Sequence, residues 1–226
     1  MSSVLHQIMG VLYKDLLIEW RAPSRIFALL CFALTTLLLF GFAIGPSTDI
    51  LRRHAGGYLW LSILFSSTAL LSRSMQVEEE SGASDSLLLA PTRPAAIFYG
   101  KALANTAQLV VLGVAALPVT LVLCDASVTE SWTMLAASIV LGTAALAAPG
   151  TMYAALTARI SGQQLLMPLL LFPLVVPALL AAVKSTSLAL LGDAMGQSSS
   201  WLQLLLFFNI IYWSLCGVLF GRVVES

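Results

Sequence analysis

Six times along the chain the sequence runs for 19 to 28 residues without a charged side chain. The runs are 26–48, 54–72, 102–124, 131–158, 160–183 and 194–221, and they take up 145 of the 226 residues. An α-helix rises 1.5 Å per residue, so about 20 apolar residues cover the roughly 30 Å of a bilayer's hydrocarbon. Each run can hold one such helix, with cores expected at about 26–45, 57–72, 102–123, 132–157, 164–183 and 201–220. The runs are continuously apolar rather than alternating, which excludes a membrane β-barrel. The expectation is an all-α membrane protein with six transmembrane helices in a single domain spanning 1–226.

Composition removes the soluble alternatives. Charged residues are 10% and hydrophobic residues 59% of the chain, against about 25% charged in globular domains. Eleven Lys and Arg balance eleven Asp and Glu. A chain without a basic excess has no means of holding a phosphate backbone, so no nucleic-acid partner is expected. Disorder would need low hydrophobicity and high net charge.

Orientation follows from where the cations fall between the runs. Lys14, Arg21, Arg25, Arg73, Arg93, Lys101, Arg159 and Arg222 lie on one side; Arg52, Arg53 and Lys184 lie on the other. Eight against three puts both termini in the cytoplasm. Ahead of the first run, residues 3–22 carry no signal-peptide pattern. Leu5, Ile8, Met9, Leu12, Leu16 and Trp20 share one helical face, with His6, Gln7, Lys14 and Arg21 opposite. Such a helix lies flat in the membrane interface. Asp15 and Glu19 fall at or within its apolar face, where a partner protein would cover them. A plain membrane anchor is the other reading.

Much chemistry is absent. Gly100-Lys101 lacks the upstream glycine of a phosphate loop, and neither H-E-x-x-H nor G-x-S-x-G occurs. Cys31, Cys124 and Cys216 are scattered, and His6 and His54 are expected on opposite sides of the membrane, so no metal site is expected. The expected cores hold no Asp, Glu, Lys or Arg, which argues against an ion-driven carrier and an intramembrane enzyme. The prolines have a mechanical reading: Pro149-Gly150 in the fourth run and Pro173 and Pro177 in the fifth remove backbone donors, so a break is expected at the former and kinks at the latter.

The longest hydrophilic stretch between runs is 73–101. It carries Glu78, Glu79 and Glu80, an acidic run broken at Gly82, then Asp85 and the Leu87-Leu88-Leu89 ridge, with a second short helix expected over 85–90, ended by Pro91 and Pro94, and a third leading into the membrane at Lys101. Short helices with an acidic edge suit docking into a groove on another protein; a solvated loop is the bland alternative.

At this point the residues resemble a family. The order of an interfacial helix, six spans and a loop of the form E-x-x-x-G-x-x-[DE]-x-L-L-L-x-P before G-K resembles permease subunits of ABC-2-type exporters. The closer resemblance is to the haem exporter protein B family of the cytochrome c maturation system. Lys14-Asp15-Leu16 with Glu19-Trp20-Arg21, Gly57-Tyr58-Leu59-Trp60, Glu78 to Pro91 with Gly100-Lys101, Ala148-Pro149-Gly150, and Pro173-Leu174-Val175-Val176-Pro177 carry it. Ser84 before Asp85 departs from the leucine the family tends to have. The resemblance implies a bacterial inner-membrane subunit whose loop docks an ATPase A subunit beside C and D membrane subunits, in a complex serving a periplasmic haem chaperone. It implies no catalytic residue and no cofactor on this chain: ATP belongs to the A subunit, and haem is at most a substrate. Met152, Tyr153 and Met167, which could ligate iron, are read as packing. Two nucleotide sites need two docking loops, hence a homodimer. A scaffold that transmits ATP-driven motion without transport is the rival reading.

Overall fold

The computed structural model of the protein describes residues 4–45, 47–80, 93–158 and 163–225, without the side chains of 76–80, 163–165 and 223–225. Among the described residues there are seven helices and no strand. They are α1 (Val4–Trp20), α2 (Pro23–Ile44), α3 (Thr48–Glu80), α4 (Pro94–Leu123), α5 (Trp132–Thr157), α6 (Gln163–Leu191) and α7 (Ser198–Glu225). Helices α2 to α7 each contain a stretch long and apolar enough to cross a membrane.

Several helices outrun the charge-free runs. Helix α3 starts at Thr48 and continues to Glu80, and α4 starts at Pro94, so most of the expected 73–101 loop is helical. Pro94 sits at the first helical position, where its missing N–H costs nothing. Of the docking residues, Glu78, Glu79 and Glu80 end α3, while Gly82, Asp85, Leu87 and Leu88, with the short helix over 85–90, lie outside the described residues. Helix α6 likewise passes Lys184 and ends at Leu191.

Helix α5 is the centre, touching α3, α4, α6 and α7. Membrane helices gain little from apolar burial against one another, so they associate where small residues let backbones approach. The indole of Trp60 on α3 fills the space a side chain at Gly142 would need, and Leu71 does the same at Gly150. Trp60 Nε1 donates to Thr186 Oγ1 of α6 at 2.9 Å, tying α3 to the far side of α5. Interhelical hydrogen bonds of this kind contribute about 0.6 kcal/mol each in a bilayer. On the other flank, Asn209 Nδ2 donates to the Leu141 carbonyl at 2.9 Å and Trp213 Nε1 to the Ala144 carbonyl at 3.2 Å.

The expected break at Pro149-Gly150 is not a break. Helix α5 runs through both residues, which are buried, and α6 runs through Pro168, Pro173 and Pro177. A proline removes one ladder bond, and close packing on both sides of α5 holds the helix together across the gap. Pro173 and Pro177 face outward on α6.

Candidate functional site: the charged end of the bundle

The first helix leaves most of its apolar face uncovered by the rest of the bundle. Leu5, Met9, Leu16 and Trp20 of the expected apolar face are exposed, Trp20 by 82%. Gln7 and Lys14, expected on the opposite face, are half-buried. The reason lies on α4. At Gly100 an added Cβ would stand 2.6 Å from Val11 Cβ and 3.0 Å from the Ile8 carbonyl oxygen, so α1 crosses α4 in near backbone contact.

One residue beyond that crossing, Lys101 is buried, 1% exposed. Lys101 stands just ahead of the expected core 102–123, and starting α4 at Pro94 puts it two turns inside the helix. An ammonium group taken from water must be paired. Lys101 Nζ lies 3.4 Å from Asp15 Oδ2 and 3.4 Å from the Ser74 carbonyl, and Asp15 Oδ1 is 3.2 Å from Lys14 Nζ. Asp15, expected to need a partner protein for cover, is covered by the chain itself. Gln7 Oε1 accepts from the Arg93 backbone N–H at 3.4 Å, a further tie between α1 and the start of α4. On its other side, α4 is held by an aromatic cluster: Tyr99 stacks on Trp213 with ring centroids 6.3 Å apart, and Phe98 meets Phe220 at 5.4 Å.

Beside the crossing lies a cavity of about 560 Å³ between α1, α2, α3 and α4, touched by Pro168 of α6. Asp15, Glu19, Arg25 and Arg73 give it a charged end; Phe32 and Phe65 give it an apolar wall. Burial pushes the Glu19 carboxyl above its ordinary value, and the Arg25 and Arg73 guanidiniums pull it part of the way back. Glu19 is half-buried by this chain, in the lining of the cavity.

The remaining candidates stay apart from this end. His54 is exposed on α3, its Nδ1 2.9 Å from the Ile50 carbonyl of its own helix. Met152 and Met167 are core residues, 7% and 0% exposed, and Tyr153 packs against the core. The three cysteines are free. Among the described residues no three His, Cys, Asp or Glu side chains converge on a metal-sized site. The Lys101–Asp15 pair had a signal in the sequence: Pro94 as a helix start, and a carboxylate inside the apolar stripe of α1.

Six apolar helices, packed about one of their own number, α5, define a polytopic α-helical membrane protein. The family model described as CcmB protein matches residues 6–223, and the chain belongs to that family. It is 36% identical to Heme exporter protein B of Rhodobacter capsulatus over 171 residues, covering 76% of this chain and 78% of that protein. It is 34% identical over 172 residues to Heme exporter protein B of Paracoccus denitrificans, with the same shares covered. With the Bradyrhizobium diazoefficiens protein of that name it shares 28% over 183 residues, 81% of this chain and 82% of that protein.

Proposed function

We propose that the chain is the membrane permease subunit of an ABC-type complex that serves haem export and haem-chaperone release in cytochrome c maturation. The observation that carries this reading is the family match across residues 6–223 to proteins named as haem exporters. Hydrolysis resides on a partner ATPase that docks at the end of α3 and the segment after it, through Glu78, Glu79, Glu80, Gly82, Asp85, Leu87 and Leu88. Both termini face the cytoplasm of a bacterial inner membrane, with α1 in the interface and C and D subunits alongside. Two copies of the chain offer the two docking surfaces that a pair of ATPase subunits requires. The exposed side chains of α1 and its crossing over α4 support this arrangement, because a push at the end of α3 meets α1 and α4 through Ser74, Lys101 and Asp15. Pro149, Gly150, Pro173 and Pro177 mark where α5 and α6 yield as the nucleotide state changes.

A second reading, a scaffold that passes ATP-driven motion to a neighbouring haem-handling protein, is favoured by the packed middle of the bundle. Trp60, Leu71, Leu146 and Met167 fill it, each no more than 1% exposed. Both readings share the docking step. Glu79→Lys with Glu80→Lys should strip the ATPase from the purified complex or uncouple its turnover. Native mass spectrometry of the wild-type complex should count two copies of this chain for two ATPase subunits. Unchanged assembly and turnover in the variant overturns the docking assignment, and a single copy overturns the dimer.

A further inference from the structure

The cavity at the charged end has a graded wall. On α2, Arg25, Ala28, Leu29 and Phe32 recur at i, i+3, i+4 and i+7 and all line it. On the antiparallel α3, Phe65, Thr68, Ala69 and Arg73, spaced i, i+3, i+4 and i+8, line it in the reverse direction. At 1.5 Å per residue, Phe32 lies about 11 Å along α2 from Arg25, and Phe65 about 12 Å along α3 from Arg73. Two neighbouring helices thus put a guanidinium at one end of the groove and an aromatic ring the same distance deeper. Phe32 and Phe65 are 50% and 38% exposed, so the apolar part is open at the surface of the bundle.

The cations have capacity to spare. Among the described residues neither Arg25 nor Arg73 makes a side-chain hydrogen bond or an ion pair within 4 Å. Asp15 is occupied by Lys14 and Lys101, which leaves Glu19 as the carboxylate facing the two arginines. With Asp15 held by the two lysines, Arg25 and Arg73 face one carboxylate between them. Guanidinium groups favour phosphate, which they meet with paired donors. Basic pockets between membrane helices hold anionic lipid headgroups in this way.

We infer that this groove binds an anionic phospholipid, its phosphate between Arg25 and Arg73 and an acyl chain along Phe32 and Phe65. A haem carries propionates and an apolar face too, but among the described residues no His, Cys, Met or Tyr lines the cavity to meet its iron. The lipid site rests on Arg25, Arg73, Phe32 and Phe65, and its test does not touch the docking residues.

The full chain, purified in detergent and stripped of lipid, is titrated with phosphatidylglycerol or phosphatidylcholine and read by native mass spectrometry. Wild type should hold phosphatidylglycerol in preference to phosphatidylcholine. Arg25→Gln with Arg73→Gln should weaken phosphatidylglycerol binding about 30-fold, from roughly five-fold per arginine, and leave phosphatidylcholine unchanged. Glu19→Gln should strengthen it, a gain that misfolding cannot produce. Arg222→Gln, on the exposed end of α7, should leave it as in wild type. Equal retention of the two lipids by wild type, no loss in the double variant, no gain in Glu19→Gln, or an equal loss in Arg222→Gln overturns the proposal. Competition by free glycerol phosphate at the concentration of the lipid would remove the acyl chain from it. Arginine-dependent binding of haemin, with none of phosphatidylglycerol, would replace the lipid by a propionate ligand.

Discussion

The two ends of the bundle handle polar groups in opposite ways. At the end opposite α1, short loops close the helices with local caps. Gly45, at φ 75°, ends α2 and returns its N–H to the Phe42 carbonyl. Ser131 Oγ accepts from the Thr133 N–H to start α5, and Asp193 accepts from the Gln197 and Ser198 N–H groups at 2.8 and 2.7 Å to start α7. Glu130 Oε1 accepts the Asp193 N–H at 2.7 Å, and Thr129 Oγ1 donates to the Leu190 carbonyl at 2.7 Å, joining the α4–α5 loop to the end of α6. Every one of these groups sits beside its partner at little desolvation cost. At the α1 end, a lysine is buried and its counter-ion comes from another helix, with two arginines around a cavity. The capped end is built to hold the helices in register; the charged end spends stability on a surface that other molecules can use.

That contrast can be broken most sharply at Lys101. Lys101→Met leaves Asp15 with only Lys14, and breaking a buried pair costs about 3–5 kcal/mol. The lower part of that range is expected, since Asp15 keeps one neighbour; thermal unfolding in detergent measures it. Adding Asp15→Leu should recover most of the loss, because a buried pair replaced by apolar side chains is close to neutral. If the double variant is no better than the single one, the pair is not what ties α1 to α4.

At the capped end Asp193→Ala removes a helix cap and should lower the melting temperature in the same experiment, by less than Lys101→Met does. The Ser198 and Gln197 N–H groups hold the Asp193 carboxyl below its ordinary range. Its contribution is therefore present above the unfolded-state value of 3.8 and lost as pH falls through the lower folded value. A loss as large as that of Lys101→Met would erase the distinction between the ends.

The smallest expected effect is on Glu19. Its folded-state value stands above 4.5, so the folded protein binds the proton more tightly than the unfolded chain. Stability from this group is full below 4.5 and lost as pH rises through the raised value, the reverse of Asp193. Glu19 faces Arg25 and Arg73 as well as Asp15, and the residue is only partly buried, so the slope is shallow. Glu19→Gln should flatten the pH dependence of the melting temperature across that window. An unchanged slope would mean that another group carries it.

The six helices were legible because continuous apolar runs of about 20 residues have few other uses. Their ends were not, because a charge-free run marks where charge stops rather than where the helix stops. Arg52, Arg53, Arg73 and Lys184 all lie on helices that continue past the runs. The burial of Lys101 was not legible, because the carboxylate that makes it tolerable is 86 residues away. The cavity shows the same limit. The stripes from Arg25 to Phe32 and from Phe65 to Arg73 are visible in sequence as helical spacings, but that they face each other follows only from the hairpin of α2 and α3. Of the expected docking loop, Glu78–Glu80 fall on the last turn of α3, a continuation that the charge run concealed.

The separation between Asp15 and Lys101 also sets a timetable. Helix α1 leaves the ribosome first, yet the residues that hold its inner face, Gly100 and Lys101, are about 86 positions behind. At roughly 5–20 residues per second, α1 waits about 4–17 s before its counter-ion exists. Through that interval α1 lacks its partner on α4, and Leu5, Met9, Leu16 and Trp20, which the finished bundle also leaves bare, are apolar side chains it offers to its surroundings while the rest is made.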